Sequence, residues 1–242
     1  MVEVTEGGAS VTLVVLHLPV AHPQLEADDA EDLHEAFLAF EADPDRKVAV
    51  LSGGDAAFCI GGVGRHLPLR PAGPAGPTRL QLSKPVIAAV EGQCVGVGLE
   101  LALWCDLRVA GLDAAFGCNH RADGVPMADG GTVRLARIVG QGRALDLVLT
   151  GRRLDAEKAS RIGLIDRVTR NGNARATALA LATEIAGHAG PALVADRRSL
   201  LEAGSLDLDD ALANEDRLAR QALTASGTIP DHQRLAPRVP GT

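Results

Sequence analysis

The chain reads as an α/β protein, with a strand-bearing core followed by a helical region. Three observations carry that reading. Apolar, β-branched runs closed by glycine or proline fall in the first half, and helical periodicity fills the chain from Thr132 onward. Between them, Lys84 to Ala110 (KPVIAAVEGQCVGVGLELALWCDLRVA) runs strand, glycine turn, apolar helix and strand without a break. At 242 residues, 46% of them apolar, the length suits one sizeable domain or a core with a small appendage. Aromatics make up only 2%, so aliphatic side chains and alanine must fill the core.

The elements follow in order. Val11–Leu18 is a buried strand, because it is β-branched and alternates little. Asp28–Phe40 is a helix with Leu33, Ala36, Phe37 and Phe40 on one stripe, its acids forming a solvated face. Val48–Ser52 is a short strand ending at a Gly53-Gly54-Asp55 turn, and a second punctuated segment follows at Phe58–Gly62. The Pro/Gly-rich run 66–78 holds no regular element and reads as a lid or a linker. Strand 85–90, helix 98–105 and strand 107–110 come next, then helices Thr132–Val139 and Arg143–Leu149, each closed by a glycine. Asp155 is placed to N-cap a short helix that stops at Gly163, before a strand Leu164–Val168. Helices Ala174–His188, Pro191–Ala203 and Leu208–Leu223 complete the pattern. The expected division is a core over 1–190, C-terminal helices over 191–225 and an irregular tail over 226–242.

A net charge of −7 without a basic tract argues against a nucleic-acid partner. Cys59, Cys94, Cys105 and Cys118 show neither CxxC pairing nor zinc-ligand spacing, so they read as reduced, buried thiols of a cytoplasmic protein with no metal. The first residues lack a basic leader, and their apolar run is too short to span a bilayer; no membrane partner is expected.

Glu100 carries the chemistry. Leu99, Leu101, Ala102, Leu103 and Trp104 leave its helix no polar face, so a carboxylate is buried there, either as a structural ion pair or tuned for acid/base work. Gly96, Val97 and Gly98 form the turn into that helix, and a helix N-terminus offers unpaired N–H groups to a developing oxyanion. The β-branched Val97 can still present its N–H if its side chain points away.

These segments resemble the crotonase superfamily, the enoyl-CoA hydratase/isomerase family. KPVIAAV, the glycine turn, ELAL and CDLRVA match its core signature. So do VAVLSGGDAAFCIGG upstream, and FG, GG-T-x-RL and LTGRRLDAEKASRIGLIDRV downstream, over roughly residues 11 to 205. The resemblance implies a spiral of ββα units with C-terminal helices that pack as a homotrimer or hexamer. It implies an acyl-CoA thioester substrate, with coenzyme A entering as part of it and no separate cofactor. Backbone N–H groups of Cys59 and Val97 would hold the thioester oxygen, with Gly61, Gly96 and Gly98 lining the substrate and Glu100 moving the proton.

Departures from the family pattern matter too. Where hydratases carry a second Glu after FGxP, this chain has His120, a base near neutral pH or simply a core or surface histidine. Asp129, before Gly130-Gly131-Thr132, is either a substitute acid or an N-cap. Arg65 and Arg70 are phosphate contacts or solvated loop residues. Hydration of a 2-enoyl-CoA is placed just ahead of double-bond isomerisation, on family frequency only. The reading from a different class is a catalytically silent acyl-CoA binder or partner subunit.

Overall fold

The computed structural model describes residues 1–54, 56–62, 73–120, 124–188 and 190–228. The chain divides into two compact units, Met1–Ala186 and Gly187–Thr242.

The first unit carries two sheets. One has six strands, ordered β1 (Val2–Gly8), β2 (Val11–Leu16), β3 (Val48–Ser52), β5 (Val86–Val90), β7 (Leu107–Gly111) and β10 (Arg167–Thr169). All its ladders are parallel except β1–β2. The other has four strands, ordered β4 (Ala57–Cys59), β6 (Gln93–Val95), β8 (Ala115–Gly117) and β9 (Arg153–Asp155), with only β8–β9 antiparallel. Successive strands β3/β4, β5/β6 and β7/β8 alternate between the sheets, which is the expected spiral of repeated units. β3 and β5 are buried at every residue, as parallel strands covered on both faces must be. Their alternate side chains feed two cores. Ala49, Leu51, Ala88 and Val90 face one with Phe37, Phe58 and Leu101. Val48, Val50, Ile87 and Ala89 face the other, against Ala178, Leu181 and Ala182.

Helices α1 (Ala27–Ala42), α2 (Val97–Trp104), α3 (Gly131–Val139), α4 (Gln141–Thr150), α5 (Ala156–Arg161) and α6 (Ala174–His188) lie where periodicity put them, within a residue or two. The cap at Asp155 forms as expected, its side chain accepting from Lys158 N–H at 2.8 Å. Helices α7 (Pro191–Ala203) and α8 (Leu208–Ala225) belong to the second unit, whose described core consists of Ala195, Leu218 and Ala222.

Three expectations need correction. The strand expected over Leu164–Val168 starts only at Arg167, because Leu164 N–H is spent on Ala159 O at the end of α5. The acid face of α1 is not wholly solvated. Asp29 is buried, closing a capping box on Glu26 N–H and pairing with the amino terminus. The described end of the Pro/Gly-rich run is neither exposed nor structureless, since Gly73–Thr78 is buried and Pro77–Arg79 forms a 3₁₀ turn. Its 66–72 portion, with Arg70, and Arg65 before it, lie outside the described residues. Strands β1, β6, β8 and β9 were not anticipated.

Candidate active site

Three parallel strands of the smaller sheet bring the expected residues to one end. Cys59, the last residue of β4, pairs with Cys94 of β6 beyond a one-residue irregularity, and β6 runs directly into Gly96 and the start of α2. Val95 pairs with Gly117 of β8, Gly96 N–H donates to Gly117 O at 3.0 Å, and His120 follows three residues later. Gly61 and Gly96 adjoin: a Cβ on Gly96 would lie 3.3 Å from Gly61 Cα. At Gly98 the approach is closer still, for a Cβ there would sit 2.2 Å from Cys59 O. Only glycine lets α2 seat on β4. The positive φ of this turn belongs to Gly96 (60°), which leaves Val97 as the first helical residue with its side chain in the core. The β-branched residue therefore carries no strain.

Glu100 sits in the first turn of α2 and is fully buried. Its Oε1 accepts from Asp129 N–H at 2.9 Å and Gly131 N–H at 3.0 Å. Its Oε2 lies 3.0 Å from His120 Nε2. His120 is itself buried, and its other ring nitrogen, Nδ1, is buried without a hydrogen-bond partner among the described residues. Glu100, rather than Asp129, thus satisfies the first N–H of α3, that of Gly131.

Asp129 does not cap that helix. Gly130 holds the N-cap position with no side-chain bond, while Asp129 Oδ1 accepts from Ala75 N–H at 2.8 Å and the Thr78 hydroxyl at 2.6 Å. Arg134 closes the arrangement, donating to Asp129 O at 2.7 Å and to Thr78 O. Burial pushes the Asp129 carboxyl up, with the Glu100 charge adding to the rise; the Thr78 and Ala75 bonds and Arg79 work against it. Thr78, Ala75 and Arg134 were missed by the sequence reading. A threonine inside a Pro/Gly-rich run carries no signal for a partner 51 residues away.

Three of the thiols are inert by environment. Burial pushes Cys59 up to about 11 and raises Cys94 and Cys105 as well. Among the described residues no group of three or more His, Cys, Asp or Glu is arranged to hold a metal ion.

A family model described as enoyl-CoA hydratase/isomerase matches residues 77–227. The chain is 32% identical over 225 residues to the short-chain-enoyl-CoA hydratase of Clostridium acetobutylicum, covering 88% of this chain and 85% of that one. The chain belongs to the enoyl-CoA hydratase/isomerase family. It is also 37% identical over 169 residues to the (E)-benzylidenesuccinyl-CoA hydratase of Thauera aromatica, covering 65% and 66% of the two chains. The crystal structure of an enoyl-CoA hydratase from Mycobacterium tuberculosis H37Rv superposes with a TM-score of 0.87 at 31% identity, covering 94% of this chain and 92% of that one. Within this family the crotonase-type spiral and its C-terminal helices are accounted for by the two sheets and by α7 and α8.

Proposed function

We propose that this chain hydrates a 2-enoyl-CoA. The thioester enolate would be held by the backbone N–H groups of Cys59 and Val97, with Glu100 as the acid/base centre and Gly61, Gly96 and Gly98 admitting the acyl group. The observation that carries this reading is Glu100 itself. It is a fully buried carboxylate at the N-terminal turn of α2, fixed by two N–H bonds and touching a second titratable group. An enolate oxygen gains most from preorganised donors, each typically worth about 3 kcal/mol in the transition state. The names of the relatives above support the substrate class. Coenzyme A is part of that substrate, and no separate cofactor or metal is proposed. The buried cysteines, which form no disulfide among the described residues, support a cytoplasmic setting, and the exposed leucines of α7 and α8 support a homotrimer or hexamer.

Double-bond migration is the second reading, and one distance favours it. At 3.0 Å, Glu100 and His120 bond directly, leaving no room for a water held between them as two carboxylates would hold it. Migration from the 3-enoyl to the 2-enoyl position needs only one group to carry a proton between C2 and C4. The test is turnover of crotonyl-CoA and of a 3-enoyl-CoA, beside Glu100→Gln, with C2 exchange of a saturated acyl-CoA in deuterated water. Hydration lost in Glu100→Gln supports the proposal, and migration alone supports the second reading. No turnover and no exchange by the unmodified protein sinks both in favour of a silent binder.

A further inference from the structure

We propose that His120 Nδ1 is the atom that accepts the proton, and that Glu100 acts through it as a positioning residue. This inference rests on the acyl-CoA reading above and, within it, replaces Glu100 by His120 as the group that takes the proton.

Glu100 is the more fully engaged of the two groups. Its Oε1 takes two backbone N–H bonds and its Oε2 faces His120 Nε2. With Glu100 assigned as the accepting carboxylate, the ring proton is placed on Nε2, facing Oε2. That bond fixes the tautomer and leaves Nδ1 with an unshared pair. Nδ1 is buried and has no partner among the described residues, and a buried polar atom left so loses its solvation with no return. Orphaned acceptors of this kind persist where a bound molecule completes them. The placement agrees: His120 follows β8, whose Gly117 is bonded to the Gly96 turn that opens into Val97. A carboxylate orienting an imidazole whose far nitrogen takes a proton is the logic of a catalytic triad, assembled here from a carboxylate and an imidazole 20 residues apart.

The step balances without another reagent. Water gives a proton to Nδ1 as its oxygen bonds to C3 of the enoyl thioester. The C2=C3 electron pair moves into the carbonyl, giving the enolate at the Cys59 and Val97 N–H groups. The imidazolium, its charge offset by Glu100, then returns the proton to C2 as the enolate collapses to the thioester. Water supplies both added groups, the hydroxyl at C3 and the hydrogen at C2, and His120 and Glu100 end as they began. The inference also accounts for the missing second glutamate, whose place the imidazole takes.

The experiment measures crotonyl-CoA hydration and C2 exchange for the unmodified protein, Glu100→Gln, His120→Gln, His120→Ala and the double variant Glu100→Gln/His120→Ala, with and without added imidazole, each checked for folding by circular dichroism. His120→Gln keeps a donor toward Glu100 but lacks a base. It should lose about 10²-fold or more in kcat with KM little changed. Imidazole should restore part of the loss in His120→Ala and none in the double variant, a dependence that a structural role for Glu100 would not produce. Folded His120 variants that keep kcat within a few-fold, while Glu100→Gln loses it, overturn the inference and leave Glu100 as the direct acid/base. Inactivity of the unmodified protein on both readouts overturns the acyl-CoA reading together with it.

Discussion

Asp129 separates into an acceptor and a charge, and substitution can test each. Asp129→Asn keeps an oxygen for Ala75 N–H and the Thr78 hydroxyl, whereas Asp129→Ala leaves both donors buried and unpaired. The alanine variant should be about 2 kcal/mol less stable than the asparagine variant in urea unfolding, close to two ordinary hydrogen bonds. Because burial raises this carboxyl in the folded state, its stabilising contribution is complete below the ordinary carboxylate range and is lost as pH rises through the folded value. The stability of the unmodified protein relative to Asp129→Asn should therefore fall as pH rises above about 4 and then level. A difference that grows with pH would mean that the Thr78 and Ala75 bonds outweigh burial. Gly131 offers a second residue-scale test. A Cβ there would sit 2.7 Å from Glu100 Cγ and 2.8 Å from Glu100 Oε1, so Gly131→Ala must push the carboxylate off its two N–H donors. Activity should fall tenfold or more while the melting temperature moves by only a few degrees. Unchanged kinetics would show that the position of Glu100 is not what the site depends on. Glu100 stood out in the sequence because a lone carboxylate breaks an otherwise apolar helix. Its bonds to Gly131 and His120 did not, because they join residues that only the fold brings together.

Apart from β1, the longer elements announced themselves, and most three-residue elements did not. β3, β5, β7 and the helices carry enough positions for composition and period to be read. β6, β8 and β9 have three residues each, too few for any period, and exist because the neighbouring strand supplies hydrogen bonds. β1 did carry a signal, the alternation of valines with polar residues in Val2–Glu6, that could have been used. The end of α5 shows how element boundaries are decided by partners out of sequence. Arg108 on β7 is buried and donates to Leu164 O at 2.7 Å, Cys105 O at 2.9 Å and Asp166 Oδ2 at 3.1 Å. Asp166 Oδ2 also accepts from Arg108 N–H at 2.8 Å. One guanidinium thus ties the segment between α5 and β10 to the sheet. Removing it leaves two carbonyls and a carboxylate short of partners, so Arg108→Ala should destabilise by about 3–5 kcal/mol in urea unfolding. A loss below about 1 kcal/mol, the scale of a surface ion pair, would show that the segment holds without it.

At the scale of the whole molecule, the second unit is hard to account for as an isolated object. Its described core is two alanines and one leucine, while Leu200 and Leu208 are 80% and 74% exposed and Leu201 and Leu212 are more than half exposed. A helical pair of this size normally needs a covalent staple or a partner surface to hold together. Covering one such leucine is worth roughly 1.5–3 kcal/mol, so two or three at a shared face can repay the freedom lost on association. The proposed homotrimer or hexamer supplies that cover from copies of the same chain. Leu200→Glu with Leu208→Glu should then shift the sedimentation coefficient from an oligomer to a monomer, and α7 and α8 should become the first segments to exchange amide hydrogens. The same change should leave the hydrogen bonds of Glu100 intact, since all of them are made inside the first unit. If the unmodified protein sediments as a monomer, the exposed leucines require another explanation, and the expected assembly is wrong for this chain.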